Sequence, residues 1–285
     1  MKFLVLGCNG MAGHLISLYL HEKGYDVTGF AREKSRIVKS IVGDASDFES
    51  VKQLLIRNNF DAVINCIGVL NQFAEREPDR AVLLNGYLPH FLAKVTEATR
   101  TQVIHMSTDC VFSGKTGGYT EHALRDGETF YDRTKAIGEL DNKKDITLRN
   151  SIIGPDIKEN GIGLLNWFMK QSLSVSGFRN AIWTGQTTLQ LAKTMEEAAK
   201  RKAYGLINTV PRGSVSKYEL LMLFNKYIRK EPIEIIPQDT FVVNKSLTRT
   251  NYESFNYEIP DYETMILELG EWMRVHKELY PHYSL

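Results

Sequence analysis

The first half of the chain alternates short apolar runs with longer segments whose apolar residues recur at helical spacing. Runs such as Lys2–Leu6 end at glycine or at a small polar residue, which is typical of buried parallel strands. Segments such as Phe48–Arg57 carry apolar residues three and four positions apart, which indicates an amphipathic helix. This alternation predicts an α/β fold built on a doubly wound parallel sheet.

The predicted strands of this half cover residues 2–6, 25–31, 41–44, 61–67, 102–106 and 146–150, and the predicted helices after the first cover 48–57, 78–99 and 129–140. After Pro155 the alternation breaks. Helices are predicted at 161–170, 189–200, 217–228 and 262–276, with a strand at 205–210 and short β-like pieces at 233–236 and 241–243. Residues 174–188 have an irregular pattern with aromatic side chains, so a loop is predicted there.

A glycine-rich turn links the first strand to the first helix. It has the spacing G-x-x-G-x-x-G and comprises Gly7, Asn9, Gly10, Met11, Ala12 and Gly13. Such a turn lets the backbone approach a pyrophosphate, which then lies at the helix N-terminus. Residues 1–150 are therefore predicted to form a dinucleotide-binding Rossmann domain, to which about 184–210 returns. Residues 151–183 and 211–285 are predicted to form a smaller α/β substrate-binding lobe.

The end of the second predicted strand normally selects the cofactor. An acidic residue there would bind the ribose 2′-hydroxyl of NAD, whereas an arginine accommodates the 2′-phosphate of NADP. This chain has Arg32, with Lys34 and Arg36 nearby, and the alternative interpretation is a solvated basic loop. The pattern favours NADP(H). Asp44 and Ala45, at the end of the third predicted strand, are expected near the adenine.

The next two predicted strands end at further candidate residues. Because ligands bind at the carboxyl ends of parallel strands, Cys66, Ile67 and Gly68 are expected beside the cofactor. The fifth strand leads into Thr108, whose hydroxyl could hydrogen-bond a substrate carbonyl or could simply cap a turn.

Tyr131 and Lys135 lie four residues apart on a predicted helix, so both side chains are expected on one face. A phenol there can donate a proton to a carbonyl oxygen while a hydride reaches the carbon, but its reference pKa is about 10. An ammonium roughly 4 Å away, at an effective dielectric near 20, would lower the phenol pKa by roughly three units. The spacing alone proves little, since Tyr19 and Lys23 repeat it in the first helix.

Composition excludes several classes of function. With 285 residues, 43% of them hydrophobic and 24% charged, the chain is of ordinary globular composition. A net charge of +1 argues against a nucleic-acid or membrane-surface role, and no apolar run is long enough for a membrane span. The three scattered cysteines suit a reducing cytoplasm, and the histidines show no metal-ligand spacing. A cytoplasmic protein without a metal is predicted.

Three motifs, GCNGMAG, STDCVF and YDRTK, stand in an order that resembles the extended short-chain dehydrogenase/reductase family. Within it, the dTDP-4-dehydrorhamnose reductase group is most similar, and the resemblance covers nearly the whole chain. It implies an NADP-dependent oxidoreductase that reduces the 4-keto group of a nucleotide-linked deoxysugar. It also implies Thr108, Tyr131 and Lys135 as the catalytic triad, Asp44 near adenine, and Asn85 supporting Lys135 through water. The oligomeric state is left open, with a homodimer as the candidate.

The chain departs from that group at several positions. Cys110 stands where those reductases have a tyrosine, and Asn150 and Ser151 lie where they carry a tryptophan after strand six. Leu15 stands where some relatives have a glutamate that holds magnesium. Both dTDP-4-dehydrorhamnose and a UDP-2-acetamido-2,6-dideoxy-4-ketohexose therefore stay open as substrates.

Two other functions are compatible with the same family. An epimerase usually carries the acidic ribose anchor that Arg32 displaces, and the dehydratases this chain resembles have a glutamate where it has Cys110. A thiol is a poor substitute for a positioned carboxyl acid. The regulatory subunit of methionine adenosyltransferase also resembles these reductases and binds NADP, so a non-catalytic NADP-binding subunit remains an alternative.

Expected substrate contacts fall into two groups. Those at strand ends are Asp109, Val111, Phe112, Asn150 and Ser151. Those in the predicted loop are Arg179, Asn180 and Trp183, which offer a guanidinium for a diphosphate and an indole for stacking. Trp183 could equally be an interdomain core residue, and Lys245 and Arg249 are expected on a solvated surface.

Overall fold

The structure is a computed structural model that describes residues 1–285. In chain order the strands are β1 (Lys2–Leu6), β2 (Asp26–Ala31), β3 (Ser40–Val42), β4 (Ala62–Asn65), β5 (Gln102–Met106), β6 (Ile146–Arg149), β7 (Ser151–Ile153), β8 (Val175–Phe178), β9 (Ala181–Trp183), β10 (Gly185–Thr187), β11 (Gly205–Asn208), β12 (Val215–Ser216), β13 (Ile235–Gln238) and β14 (Val243–Asn244). The helices are α1 (Met11–Glu22), α2 (Phe48–Arg57), α3 (Asn71–Arg76), α4 (Pro78–Ala81), α5 (Leu88–Thr96), α6 (Phe130–Ile137), α7 (Leu164–Met169), α8 (Thr188–Arg201), α9 (Lys217–Tyr227) and α10 (Tyr262–Val275).

A seven-stranded sheet forms the centre, in the order β11-β6-β5-β4-β1-β2-β3, and every neighbouring pair is parallel. The direction of winding reverses between β1 and β4, which creates the crevice where doubly wound sheets bind ligands. The predicted α/β class and all six predicted strands of the first half are confirmed, although several strands are shorter than predicted.

Alternate side chains of the strands supply two apolar layers, one on each face of the sheet. Phe3 and Val5 face a large core built with α1 and α8, whereas Leu4 and Leu6 face a smaller core built with α2 and α5. Because successive strand residues point to opposite faces, a strand buried on both sides must be apolar at every position. This explains why residues 3–6 of β1 are all apolar.

The second half contains three small sheets. β10 pairs with β7, β13 pairs with β8, and β9 lies between β12 and β14. The loop predicted for residues 174–188 is wrong, because β8, β9 and β10 occupy most of it. Each strand has only three or four residues and is held by a partner distant in sequence, as where Trp183 pairs with Val215. So short a run shows no usable periodicity.

The helix predicted for residues 78–99 is shorter and irregular. It consists of α4, a π-helical turn at Val82–Tyr87 and α5, which ends at Thr96. The helix predicted for 129–140 ends at Ile137. A π-helical turn inserted into an α-helix is frequent at functional sites, and here it contains Asn85.

Residues late in the chain return to the first half. β11 pairs with β6 in the central sheet, and the Glu196 carboxylate on α8 accepts hydrogen bonds from the Tyr19 and Tyr25 hydroxyls at 2.6 and 2.7 Å. Near the C-terminus, the Tyr280 hydroxyl lies 2.9 Å from His14 Nε2 on α1. The two-domain division stays a prediction. None of the helices combines the length and the apolar character that crossing a membrane requires.

Candidate active site

The glycine turn after β1 has the geometry of an anion-binding loop. Gly7 has φ of +80°, a left-handed conformation that favours glycine, and a Cβ placed on Gly13 would lie 2.1 Å from the Gly7 carbonyl oxygen. The N-cap of α1, Gly10, makes no side-chain capping bond. Asn9 Nδ2 donates to the Glu33 carbonyl at 2.8 Å, which ties the turn to the segment after β2. The turn therefore presents backbone N–H groups at the crevice, as pyrophosphate binding requires.

The ends of β2 and β3 carry the predicted cofactor-selecting residues. Arg32, Lys34 and Arg36 are exposed, and none of them forms an ion pair. The Asp44 carboxylate accepts a hydrogen bond from the Ser46 amide at 3.0 Å and pairs with Arg80 at 3.3 Å. Hydrogen bonds from the Ser46 amide and hydroxyl, and then the charge of Arg80, lower the pKa of Asp44. Three basic side chains without an ion-pair partner and one ion-paired carboxylate thus lie at this edge of the central sheet.

Asn85 fixes the segment that follows β4. Its Oδ1 accepts a hydrogen bond from the Val69 amide at 2.7 Å, and its Nδ2 donates to the Val69 carbonyl at 2.9 Å and to Thr134 Oγ1 at 3.1 Å. The side chain therefore joins the loop after β4 to α6. No hydrogen bond joins it directly to Lys135, and the support through water that the family resemblance implies stays a prediction.

The start of α6 is fixed by a capping box. Thr129 Oγ1 accepts from the Asp132 amide and Asp132 Oδ2 accepts from the Thr129 amide, both at 3.1 Å. This reciprocal pair sets the helix register. Tyr131, at the second helical position, is thereby held with its side chain buried.

The turn that follows Thr108 packs against α6, where Cys110 contacts the cluster that contains Tyr131. Burial raises the pKa of the Tyr131 phenol, and the Cys110 thiol adds to this, while the Thr108 hydroxyl opposes it. Thr108 Oγ1 donates to Asp109 Oδ1 at 3.2 Å and accepts from the Cys110 amide at 3.1 Å. The phenol therefore stays protonated at neutral pH and can donate.

Lys135 is buried on the same helix, and its ammonium is directed to the central sheet. It donates to the Met106 carbonyl at 2.7 Å and lies 3.5 Å from His105 Nε2. Burial lowers the pKa of Lys135 to about 8, with the Glu139 charge opposing this shift. The predicted lowering of the phenol pKa is wrong for this arrangement, because the desolvation of Tyr131 dominates.

His105 is a polar residue of this site that the sequence reasoning missed. It lies on β5 opposite Asn65 of β4, and its Nδ1 is 3.2 Å from Asn65 Nδ2. Burial, and then the charge of Lys135, holds the pKa of His105 well below its usual range, so the imidazole is neutral. A histidine inside an otherwise apolar strand was the available signal.

A buried ionic network holds the C-terminal end of α6. Glu139 accepts hydrogen bonds from Arg149 Nε and Nη2 at 2.7 and 2.6 Å and from Ser107 Oγ at 2.7 Å, and it also pairs with Arg125. Burial alone would raise the pKa of Glu139, but the hydrogen bonds and charge of Arg149 lower it. The network ties α6 to the strand ends next to Thr108.

A pocket of about 490 Å³ opens from these strand ends into the second half of the chain. We call it the lobe pocket. Its inner end is formed by Asp109 and Cys110, and alternate residues of short strands supply its walls. The remaining lining residues are Ser151, Leu164, Trp167, Ser176, Phe178, Ala181, Ile182, Trp183, Lys217, Leu221, Phe241, Val243 and Lys245. Apolar walls with a few polar groups are typical of small-molecule sites.

The sequence pattern of the RmlD substrate binding domain family matches residues 1–283. The chain belongs to this family. A solved structure similar to this RmlD-family chain is a dTDP-4-dehydrorhamnose reductase from Bacillus anthracis str. Ames in complex with NADP, with a TM-score of 0.78 and 21% identity over 94% of this chain and 98% of that one. This likeness shows the shared fold.

Two curated relatives match only part of the RmlD-family chain. A probable low-salt glycan biosynthesis reductase, Agl14 of Haloferax volcanii, is 33% identical over 143 residues, which is 49% of this chain and 48% of that protein. A dTDP-4-dehydrorhamnose reductase of Streptomyces griseus is 31% identical over 140 residues, which is 48% of this chain and 43% of that protein. The matches thus span about half the length of these relatives.

Not every predicted substrate residue of the RmlD-family chain reaches the lobe pocket. Asp109, Ser151 and Trp183 line it, but Val111 and Phe112 are buried in a separate apolar cluster. The Asn150 side chain bonds to Thr209 and the Ser151 carbonyl, while Arg179 is exposed and pairs with Asp239, and Asn180 donates to the Asp239 carbonyl at 3.1 Å.

Two lysines that were not predicted as substrate contacts line the lobe pocket instead. Lys217 was missed, since nothing in the sequence brings the start of α9 to β9, where its Nζ lies 5.1 Å from the Trp183 ring centroid. The solvated surface predicted for Lys245 is wrong, although the period of two shared by Phe241, Val243 and Lys245 could have revealed it. The surface position predicted for Arg249 is also wrong, because its guanidinium donates to backbone carbonyls.

Proposed function

We propose that the chain reduces the 4-keto group of a nucleotide-linked 6-deoxysugar with NADPH, in the synthesis of cell-surface polysaccharide precursors. The substrate would be dTDP-4-dehydrorhamnose or a UDP-2-acetamido-2,6-dideoxy-4-ketohexose. One observation carries this proposal: Cys110, which lines the inner end of the lobe pocket and lies two residues after Thr108, packs against the cluster that contains Tyr131, at the sheet edge that holds the glycine turn. The reductase names of the relatives support it.

The residues present fit a dinucleotide. Gly13 lies so close to the Gly7 carbonyl that no side chain fits between the glycine turn and α1. In addition, no side chain caps the first turn of α1, so none competes with a pyrophosphate there. Arg32 is exposed and unpaired, as a 2′-phosphate ligand must be. When bound, the reduced nicotinamide supplies the hydride.

Tyr131 supplies the proton in this proposal. Its raised pKa keeps the phenol protonated at neutral pH, so that it can donate to the carbonyl oxygen as negative charge develops there. Thr108 positions the same oxygen from the end of β5. Lys135, with a pKa of about 8, is largely an ammonium at neutral pH and would hold the nicotinamide ribose.

The epimerase and dehydratase alternatives draw no support from Cys110. Burial, and then the charge of Asp109, raises the pKa of this thiol to about 12. A thiol in this state does not perform the acid–base work of the glutamate that stands here in the dehydratases. Net reduction therefore fits the residues better than dehydration does.

The test is turnover by the purified full chain with NADPH and a panel of dTDP- and UDP-linked 4-keto-6-deoxysugars. Oxidation of NADPH with one ketosugar, lost in Tyr131→Phe, supports the proposal. Tight NADPH binding without turnover of any ketosugar would overturn it in favour of a non-catalytic NADP-binding subunit. A product isomerised without loss of NADPH would point to the epimerase.

A further inference from the structure

We propose that Lys217 and Lys245 bind the diphosphate of a nucleoside diphosphate-linked ligand in the lobe pocket, whose aromatic wall receives the base. This inference rests on the substrate class of the proposed function. It differs from the sequence prediction, which gave the diphosphate to Arg179. Three observations carry it: the positions of the two ammonium groups, their lack of protein partners, and the composition of the surrounding wall.

The two lysines approach one pocket from different elements. Lys217 is the first residue of α9, and Lys245 directly follows β14. Both line the pocket that Asp109 closes at its inner end. Since Asp109 directly follows Thr108, a ligand held by the lysines would extend from the outer wall toward Tyr131 and Thr108.

Neither ammonium has a protein acceptor. No hydrogen bond or ion pair joins the side chain of Lys217 or of Lys245 to another residue, whereas Lys226, also on α9, pairs with Glu263 at 2.7 Å. Lys217 instead lies over the face of Trp183, an interaction weaker than a charge-assisted hydrogen bond. The lysines therefore keep their donor capacity for a ligand.

The one carboxyl group of the pocket does not neutralise both lysines. Burial raises the pKa of Asp109 although the charges of Lys217 and Lys245 oppose this shift, and its carboxylate accepts a hydrogen bond from the Thr108 hydroxyl and none from either lysine. Burial also lowers the pKa of Lys217, with Asp109 and Cys110 opposing this shift. Both lysines are half-buried, and a partly desolvated ammonium without a partner is destabilising, a cost that an anion accepting its hydrogen bonds removes. Glu219, in the first turn of α9, already binds the Ser216 cap.

The wall provides the rest of the recognition chemistry. Trp167 and Phe241 are 42% and 52% exposed at the pocket, and Phe178 lies 5.3 Å from Phe241, centroid to centroid. Aromatic faces of this kind stack on a planar base, while two cations match a group with two adjacent negative charges. A volume of about 490 Å³ lies within the usual range for small-molecule pockets.

Arg179 lacks these properties. Its guanidinium makes hydrogen bonds to both oxygens of the Asp239 carboxylate, and both side chains are more than half exposed. Its charge is thus already neutralised outside the pocket wall.

The test is equilibrium binding of UDP and TDP to the full chain, by calorimetry with NADP present, compared with binding of uridine and thymidine. Lys217→Met and Lys245→Met keep the aliphatic stem and remove the charge. Each is expected to weaken nucleoside diphosphate binding about tenfold or more, since each removes a charge-assisted hydrogen bond. Nucleoside binding should change less than about twofold, because the aromatic wall is untouched.

Three further variants make the result decisive. Lys226→Met, on the same helix but ion-paired at the surface, should bind UDP and TDP as the wild type does. Lys217→Arg should retain most of the affinity, and unchanged melting temperatures would show that the variants fold. Loss of affinity in Arg179→Met, with the lysine variants unchanged, would overturn the inference.

Nucleoside diphosphate binding can be measured without turnover. The experiments can therefore contradict this inference without contradicting the proposed function, and the reverse. A wild type that binds UDP or TDP through the lysines but reduces no ketosugar would leave the diphosphate site standing and remove the reductase. A wild type that reduces a ketosugar, with both lysine variants unchanged in affinity, would remove the diphosphate site alone.

Discussion

Helix α6, which carries Tyr131, has a buried lysine and the lobe pocket has two half-buried ones, and the two regions hold their lysines in opposite ways. Lys135 on α6 donates to a backbone carbonyl and adjoins a neutral histidine, in a region where Asn85 and Glu139 are fully engaged as well. Lys217 and Lys245 have no protein acceptor at all. Chemistry requires groups that are already positioned, whereas recognition requires donors that a ligand can satisfy.

The difference also appears in the secondary structure around each site. The proposed catalytic residues lie on a capped helix and at the end of a central strand, and networks of hydrogen bonds fix both elements. The lobe pocket is built from strands of two to four residues and carries exposed Trp167 and Phe241. Substitutions should therefore affect stability at the first site and ligand affinity at the second.

The largest effect on stability is expected from Glu139→Gln. It leaves the fully buried Arg149 guanidinium without its carboxylate, and breaking a buried ion pair from one side costs about 3–5 kcal/mol of unfolding free energy. Chemical denaturation measures this loss. Asp239→Asn breaks the exposed pair with Arg179 and should leave the unfolding free energy nearly unchanged. Equal losses in the two variants would contradict the proposed difference between the regions.

Tyr131→Phe should lower kcat by on the order of 10² or more, because it removes the proton donor and nothing else. NADPH affinity should barely change, since the glycine turn and Arg32 are untouched. Steady-state kinetics and a separate binding titration measure the two quantities. Near-normal turnover would remove the tyrosine from the mechanism.

Lys135→Met should raise stability near neutral pH while abolishing turnover. The pKa of Lys135 is about 8 in the folded chain against a reference value of 10.5, so the unfolded state binds more protons between these values. The wild type therefore loses stability as pH falls through this window, by an upper bound of about 3 kcal/mol. The variant should lack that loss. The difference in unfolding free energy between the variant and the wild type should therefore shrink as pH rises above 8. An advantage that is constant with pH would show that burial does not shift this lysine.

Arg32→Asp should give the smallest effect, a change in cofactor preference from NADPH toward NADH. The substitution removes a charge-assisted contact to the 2′-phosphate and adds repulsion, which is worth about tenfold or more in the affinity ratio. Binding titrations with both cofactors measure it. An unchanged ratio would assign the selection to Lys34, Arg36 or the backbone.

Local patterns were sufficient for the first half of the fold. The strand before the glycine turn is apolar from Phe3 to Leu6 because both of its faces are buried, and the turn itself needs glycine at Gly7 and Gly13 for steric reasons. The same applies to Tyr131, whose place on α6 follows from the Thr129 capping box. These features depend on neighbours in sequence.

The sequence by itself determined the doubly wound sheet and the glycine turn, because hydrophobic periodicity and the steric need for glycine are local properties. Only the tertiary structure decided that Lys135 turns to Met106, that Arg179 is neutralised by Asp239, and that Lys217 faces Trp183. Each of these depends on a partner distant in sequence, or on how deeply a charge is buried. The burial that raises the pKa of Tyr131 is such a property, and it exists only once the chain has folded.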